Sequence, residues 1–276
     1  MPTGPWIMAQ SWHDLLFAHW PVEAAALRAI IPARLQIDTY NGQAWLGIVP
    51  FRMSGVRLRW TPALPWFSAF PELNVRTYVT AEDKPGVWFF SLDAGNLLAV
   101  MAARLTFHLP YFRARMGCEE SGGWIEYRSE RMHRGVPAAA FAAKYEGNGE
   151  AFEPQLGTLE HFLTERYCLY AAHRGRVYRG EIHHPPWLLQ SAQANLECNS
   201  MAKAAGIVLP PIPPLLHFAR RQDMIAWAPR RIEQQALTIC ETQRIPPGRC
   251  SQIRRRSSTS IFRLDKEWRK PRTRRA

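Results

Sequence analysis

No run of 18 or more apolar residues occurs in the 276-residue chain, so no helical membrane span is expected. Cysteine is sparse, odd in number and widely spaced (Cys118, Cys168, Cys198, Cys240 and Cys250), with no C-x-x-C pair. That pattern excludes a disulfide framework and a zinc site, and the thiols read as reduced. There is no G-x-S-x-G, no glycine-rich phosphate loop and no G-x-G-x-x-G, which argues against nucleotide chemistry. The N-terminus lacks a basic n-region, and His13, Asp14 and His19 interrupt its apolar stretch, so no secretory signal is read. A cytoplasmic protein with no metal, no cofactor and no membrane partner is the expectation.

What is present is a large apolar fraction, 47% of residues, enough to bury a core unaided. The formal net charge of +12 points at first to a polyanion partner. Its distribution changes that reading. Residues 233–276 hold twelve basic and four acidic side chains, a net of +8, which leaves +4 for residues 1–232. The expected organisation is therefore a folded domain over 1–232 and a basic, disordered tail over 233–276. Nucleic-acid binding would rest on the tail alone, where only Phe262 and Trp268 could stack on bases, and it is not expected.

Local patterns divide the first part. The Ala/Leu-rich stretch 22–31, opened by Pro21 and closed by Pro32, predicts a helix. Strands are predicted over 35–38, 43–59, 72–80 and 87–93, where Val, Ile, Trp, Phe and Tyr gather between turn signals. Asn41-Gly42 is a hairpin signal, because both residues tolerate positive φ. Lys84 is placed in a hairpin turn before Pro85-Gly86. A helix over 96–106 ends near Pro110, and strands over 112–118, 124–131 and 138–145 form a meander turned at Gly122-Gly123. A helix over 156–165 is capped by Thr158, and a hairpin over 167–172 and 176–183 turns at Arg174-Gly175. A helix over 192–205 and two strands within 215–227 complete the domain.

The stretch Glu72-Leu73-Asn74-Val75-Arg76-Thr77-Tyr78-Val79 carries the most chemical information. Side chains alternate across a strand, so Glu72, Asn74, Arg76 and Tyr78 share one face and the apolar residues the other. The polar row is either solvated or lines an interior cavity. Strongly aromatic flanks at 67–70 and 87–92 argue for the interior, where Glu72 and Arg76 would satisfy one another. His19, in an apolar context, reads as a core histidine or a ligand contact, and Arg104 as an anion contact or a surface arginine. The adjacent pair His183-His184 would point to opposite faces of a strand, which disfavours shared metal ligation.

Several longer motifs carry a resemblance. Leu15-Leu-Phe-Ala-His-Trp-Pro-Val22, Trp45-Leu-Gly-Ile-Val-Pro-Phe51, the Glu72 strand, Gly86-Val-Trp-Phe-Phe-Ser-Leu-Asp93, Leu109-Pro-Tyr-Phe112 and Phe162-Leu-Thr-Glu-Arg-Tyr167 resemble the YqjF-like family of uncharacterised bacterial proteins. The likeness runs from about Gln10 to Ile232. That family is grouped with the acetoacetate decarboxylase-like superfamily. The resemblance implies an α+β, mainly β fold, a closed antiparallel β-barrel with peripheral helices and an interior pocket. The decarboxylases carry a pocket glutamate, which Glu72 matches, and a Schiff-base lysine just after a proline. Here Pro110 is followed by Tyr111 and Phe112, so the catalytic amine is missing, and fold does not transmit activity.

Two functions follow. One is a small-molecule enzyme, lyase-like, in which Glu72 is acid or base and Tyr111 a donor in the lysine's place. Asn74, Arg76, Tyr78, Arg104 and His19 would bind a small organic acid or aromatic compound. The other is a binding barrel in which the same residues only orient a ligand. A small-molecule ligand is the expected partner, and assembly into a homo-oligomer stays open.

Overall fold

The structure is a computed structural model that describes residues 2–63 and 68–233. The expected tail, apart from Glu233, lies outside the described residues. The chain begins with a strand of fifteen residues, β1 (Met8–Val22), followed by the short helix α1 (Ala24–Arg28) and β2 (Gln36–Ile37). Then come β3 (Ala44–Leu58), β4 (Phe70–Ala81), β5 (Lys84–Ala94), α2 (Leu97–Thr106), β6 (Tyr111–Ser121), β7 (Trp124–Arg131) and β8 (Ala140–Phe152). The remainder is α3 (Leu159–Thr164), β9 (Cys168–His173), β10 (Arg176–His183), β11 (Leu189–Asn199), α4 (Met201–Ala204), β12 (Leu215–Ala226) and β13 (Arg230–Arg231). The described chain is mainly β.

Among the described residues all thirteen strands belong to one sheet, in the order β13-β10-β9-β5-β6-β7-β8-β11-β12-β1-β3-β4-β2, with further pairings of β4 to β5 and β10 to β12. The β4–β5 ladder joins two strands that stand far apart in that order, so the pairings run in a ring. Most ladders are antiparallel, but β5 pairs in parallel with β6 and with β9. The expectation of an antiparallel sheet is corrected there. The physical reason is α2: a helix between β5 and β6 is a crossover, which returns the chain in its starting direction.

Turn chemistry explains the local geometry. Asn41 and Gly42 have φ of 50° and 81°, and Tyr40 bridges to Gln43 across them. The β4–β5 turn is made by Glu82 and Asp83, at φ 51° and 56°, rather than by Lys84, which opens β5. Asn96 caps α2 by accepting from the amides of Leu98 and Ala99, and Thr158 caps α3 at the amide of His161.

Three predicted elements differ. The helix over 22–31 shrinks to α1 because β1 runs on through Val22 to pair with Ala44. The helix over 192–205 is mostly strand β11. There Ala192, Ala194 and Leu196 pack inward, Gln193, Asn195 and Glu197 face out, and β8 supplies the ladder. Sheet pairing overrides the local helix propensity of that stretch. The two strands expected over 215–227 are one, β12.

The largest apolar cluster gathers Leu16, Ile48, Leu73, Val75, Tyr127, Phe141, Tyr145 and Phe218 from six strands. Close approach is tight at Gly86, where an added Cβ would stand 2.6 Å from the Cys168 carbonyl oxygen and 2.7 Å from the Tyr170 ring. Gly86→Ala is therefore expected to cost about 1–3 kcal/mol, as overpacking does, by wedging β5 from β9. Urea unfolding of the variant beside the native protein checks this.

Candidate functional site

Strand β4 places its polar row by simple alternation. Glu72 and Asn74 are buried at 3% and 5% exposure, and Arg76 is partly buried. All three line one cavity of about 780 Å³. Its walls are mostly apolar: Leu15, Val49, Phe51, Phe70, Phe89 and Leu92 are typical. Tyr111, the first residue of β6, lines it as well. Register explains how Tyr111 reaches Glu72. Leu92 of β5 pairs with Asn74 on one side and Tyr111 on the other, while Ala94 lies opposite Glu72. The small Ala94 side chain leaves room for the tyrosine to lean toward the carboxyl. From the far side of the sheet the buried Tyr127 hydroxyl donates to the Glu72 carbonyl oxygen at 2.7 Å, fixing the backbone at that residue.

Burial pushes the Glu72 carboxyl up to about 8; a side-chain hydrogen bond with Tyr111 opposes the rise and the charge of Asp93 adds to it. At neutral pH the protonated form dominates. Burial likewise holds the Tyr111 phenol well above its ordinary value, with the Glu72 charge in the same direction. The two are thus neutral oxygen acids side by side on one cavity wall. Asp93 itself is fully buried and gripped by Arg131 through two bonds of 2.7 and 2.6 Å.

The expected mutual pairing of Glu72 and Arg76 is absent. Four residues along a strand span roughly 13 Å, too far for an ion pair even on one face. Arg76 instead lies 5.3 Å over the Phe17 ring and 5.9 Å from that of Tyr78, and its charge helps depress His19. Its guanidinium donates a long hydrogen bond, 3.4 Å, to the Leu163 carbonyl.

The other candidates lie elsewhere. Tyr78 and His19 are wholly buried, bonded to each other at 2.7 Å, and the Tyr78 hydroxyl donates to the Leu163 carbonyl of α3 at 2.7 Å. Neither lines the cavity; they form its backing behind Arg76. Gly47 makes that possible, since an added Cβ would meet His19 at 3.0 Å and Arg76 at 3.3 Å. Burial, then the Arg76 charge, keeps His19 well below the ordinary imidazole value. Arg104 is exposed on α2, near the Tyr111 carbonyl at 3.3 Å and His133 at 3.2 Å, and does not line the cavity. Reading it as a pocket anion contact is corrected: α2 turns Leu98, Ala99, Ala102 and Ala103 to the cavity, and Arg104 falls outside that set.

Sequence reasoning missed Trp12, Arg166, His184 and Trp187, all of which line the cavity. Trp12 and Trp187 stack at 6.0 Å, and each indole N–H is buried with no protein partner. Arg166 is neutralised by Asp38 at 2.6 Å. His184 stacks on Tyr167 at 4.6 Å. The local signal for these residues was weak, since each comes from a segment remote in sequence from β4. Glu72 Oε2, Asn74 Oδ1 and Arg76 Nε are also buried without a protein partner. Such groups cost about 1–3 kcal/mol each when left unmet, so the lining holds unused hydrogen-bonding capacity. Among the described residues no three or more His, Cys, Asp or Glu side chains gather as a metal site. No described helix is long and apolar enough to cross a membrane.

Among the described residues no lysine lines the cavity. Lys84 pairs with Glu181 at 2.9 Å and Lys144 with Glu126 at 3.0 Å, while Lys203 lies exposed on α4.

Comparison with known proteins places this geometry in context. Among solved structures, the chain is similar to the enduracididine biosynthesis enzyme MppR complexed with pyruvate, at a TM-score of 0.57 and 12% identity, covering 84% of this chain and 91% of that one. It is also similar to acetoacetate decarboxylase from Legionella pneumophila, at a TM-score of 0.57 and 11% identity, covering 84% and 90%. These likenesses give the fold, which is acetoacetate decarboxylase-like. In sequence the chain is 49% identical over 231 residues to the uncharacterized protein YqjF of Bacillus subtilis, covering 84% of this chain and 95% of that protein. Residues 9–223 match the family DUF2071, described as an uncharacterized conserved protein, and the chain belongs to that YqjF-like family.

Proposed function

We propose that the ring of strands closes as a barrel whose interior cavity binds a small organic molecule, and that Glu72 and Tyr111 act on it by proton transfer. The reading is a lyase-like enzyme for organic acids or aromatic compounds. The observation that carries it is a carboxyl held neutral near pH 7 against a tyrosine hydroxyl in an apolar cavity. A carboxyl with a value near the working pH is well placed to give a proton to a carbonyl oxygen and to take one back. The Tyr111 hydroxyl would donate to the same oxygen as charge builds on it. Asn74 and Arg76 would hold the rest of the substrate. With no lysine on the lining among the described residues, the imine route used by decarboxylases has no nucleophile in this reading.

A thermal-shift screen of a metabolite pool, followed by product analysis, tests it. Recovery of an altered compound is expected, with Glu72→Gln and Tyr111→Phe each lowering turnover on the order of 10²–10⁴-fold. Recovery of the compound unchanged would instead support a binding barrel, the alternative favoured by the missing amine.

A further inference from the structure

We infer that the cavity takes an elongated apolar molecule ending in one anionic group, of the monocarboxylic acid kind. The acid lies on Arg76 and the chain runs past Glu72 toward Phe70, Met53 and Val56. The inference rests on the reading of the cavity as a ligand site and names the class of ligand.

Among the described residues, four charged ones line the cavity: Arg57, Glu72, Arg76 and Arg166. Arg166 is already paired with Asp38. Glu72 is protonated at neutral pH. Arg57 is exposed, 6.0 Å from the Trp6 ring, at the far end of β3. Among the described residues Arg76 therefore supplies the one interior positive charge without a carboxylate, and its buried Nε lacks a protein acceptor there. A single anion balances it; a second would find no interior cation.

The wall next to Arg76 sets the shape of the rest. From Arg76 to Phe70 the cavity-facing residues of β4 cover about 20 Å at strand rise. Along that line the lining changes from Arg76, Asn74 and Glu72 to Phe70. The paired strand β3 offers Val49, Phe51, Met53 and Val56. Met53, Phe70, Val56, Ala99 and Val100 form one apolar cluster where α2 meets β3 and β4. A short keto acid would fill only a fraction of 780 Å³ and would leave this apolar end unused.

Calorimetric titration with butanoate, octanoate, dodecanoate, hexadecanoate and 1-dodecanol at pH 7 tests the inference. Affinity is expected to tighten about fourfold per added methylene until the chain reaches Val56 and Ala99. Arg76→Gln is expected to weaken dodecanoate at least tenfold and to leave dodecanol unchanged; Arg57→Gln is expected to leave both unchanged. Val56→Trp and Ala99→Phe, which narrow the apolar end, are expected to move the best chain to a shorter one while octanoate binds as before. Chain-length dependence kept in Glu72→Gln would uphold the inference even if the catalytic roles failed. Equal affinity for butanoate and dodecanoate would overturn it, as would a carboxylate dependence that follows Arg57 instead of Arg76, and either result would leave a Glu72-dependent turnover standing.

Discussion

Glu72→Gln is expected to make the protein more stable than the native form at pH 9 while the two are alike near pH 5. The native carboxyl ionises at about 8 when folded and near its ordinary 4.5 when unfolded, because burial disfavours the charge. Between those values the unfolded chain has lost the proton and the folded one has kept it. Stability from this residue is complete below pH 4.5 and is lost as pH rises to 8. The gap, at 1.36 kcal/mol per pH unit, is on the order of 5 kcal/mol. Glutamine has no proton to lose, keeps the shape and still reaches the Tyr111 oxygen. Other carboxylates titrate in both proteins, so the informative quantity is the difference between the two unfolding curves at pH 5, 7 and 9. A difference that stays flat across that range would remove the neutral acid from the site.

Arg131→Met is expected to destabilise the protein by about 3–5 kcal/mol at pH 7, the usual consequence of stripping one partner from a buried ion pair. Asp93 and Arg131 have side-chain exposures of 0% and 3%, so water cannot replace the lost guanidinium. The location makes the effect functional as well as structural. Strands β5 and β6 share only three residue pairs, Leu92 to Ala94 with Tyr111 to Arg113. The ion pair crosses that short seam from β5 to β7, and Arg131 also covers the Phe112 ring at 4.4 Å. Breaking it loosens the strand that aims Tyr111 at Glu72. The double change Asp93→Leu with Arg131→Met removes both charges and is expected to recover most of the loss, since an apolar pair leaves nothing unpaired. Denaturation of the single and double variants distinguishes a buried-charge penalty from simple loss of packing, which the double change would not repair.

How much of this was legible beforehand depends on the range over which each signal acts. The period-two row of Glu72, Asn74 and Arg76 was readable because alternation is a property of one strand, and the structure puts all three on one cavity. Its extension to Tyr78 was not, because α3 comes down on that end of β4 and takes the hydroxyl for the Leu163 carbonyl. The assumed Glu72–Arg76 pair failed on distance, which the same period would have given. Strand β11 was misread from its Ala and Leu content although Ala192, Ala194 and Leu196 alternate with polar residues; two-residue periodicity outweighed composition there. Trp12, Arg166, His184 and Trp187 come from three separate segments, and only the ring of ladders brings them to β4. The resemblance to acetoacetate decarboxylase-like proteins implied Glu72 as a pocket glutamate and Tyr111 in the lysine's place, and that the two residues come together on one cavity was visible only in three dimensions.

The proposed chemistry depends on Glu72 being a neutral acid at physiological pH. The most direct measurement is the pH titration of its side-chain carboxyl carbon by ¹³C NMR, with the resonance assigned by its loss in Glu72→Gln. A midpoint near 8 is expected, in line with the burial-driven rise. A midpoint near 4.5 would mean an ionised carboxylate at neutral pH, and would contradict both the proton-transfer role and the single-anion balance around Arg76.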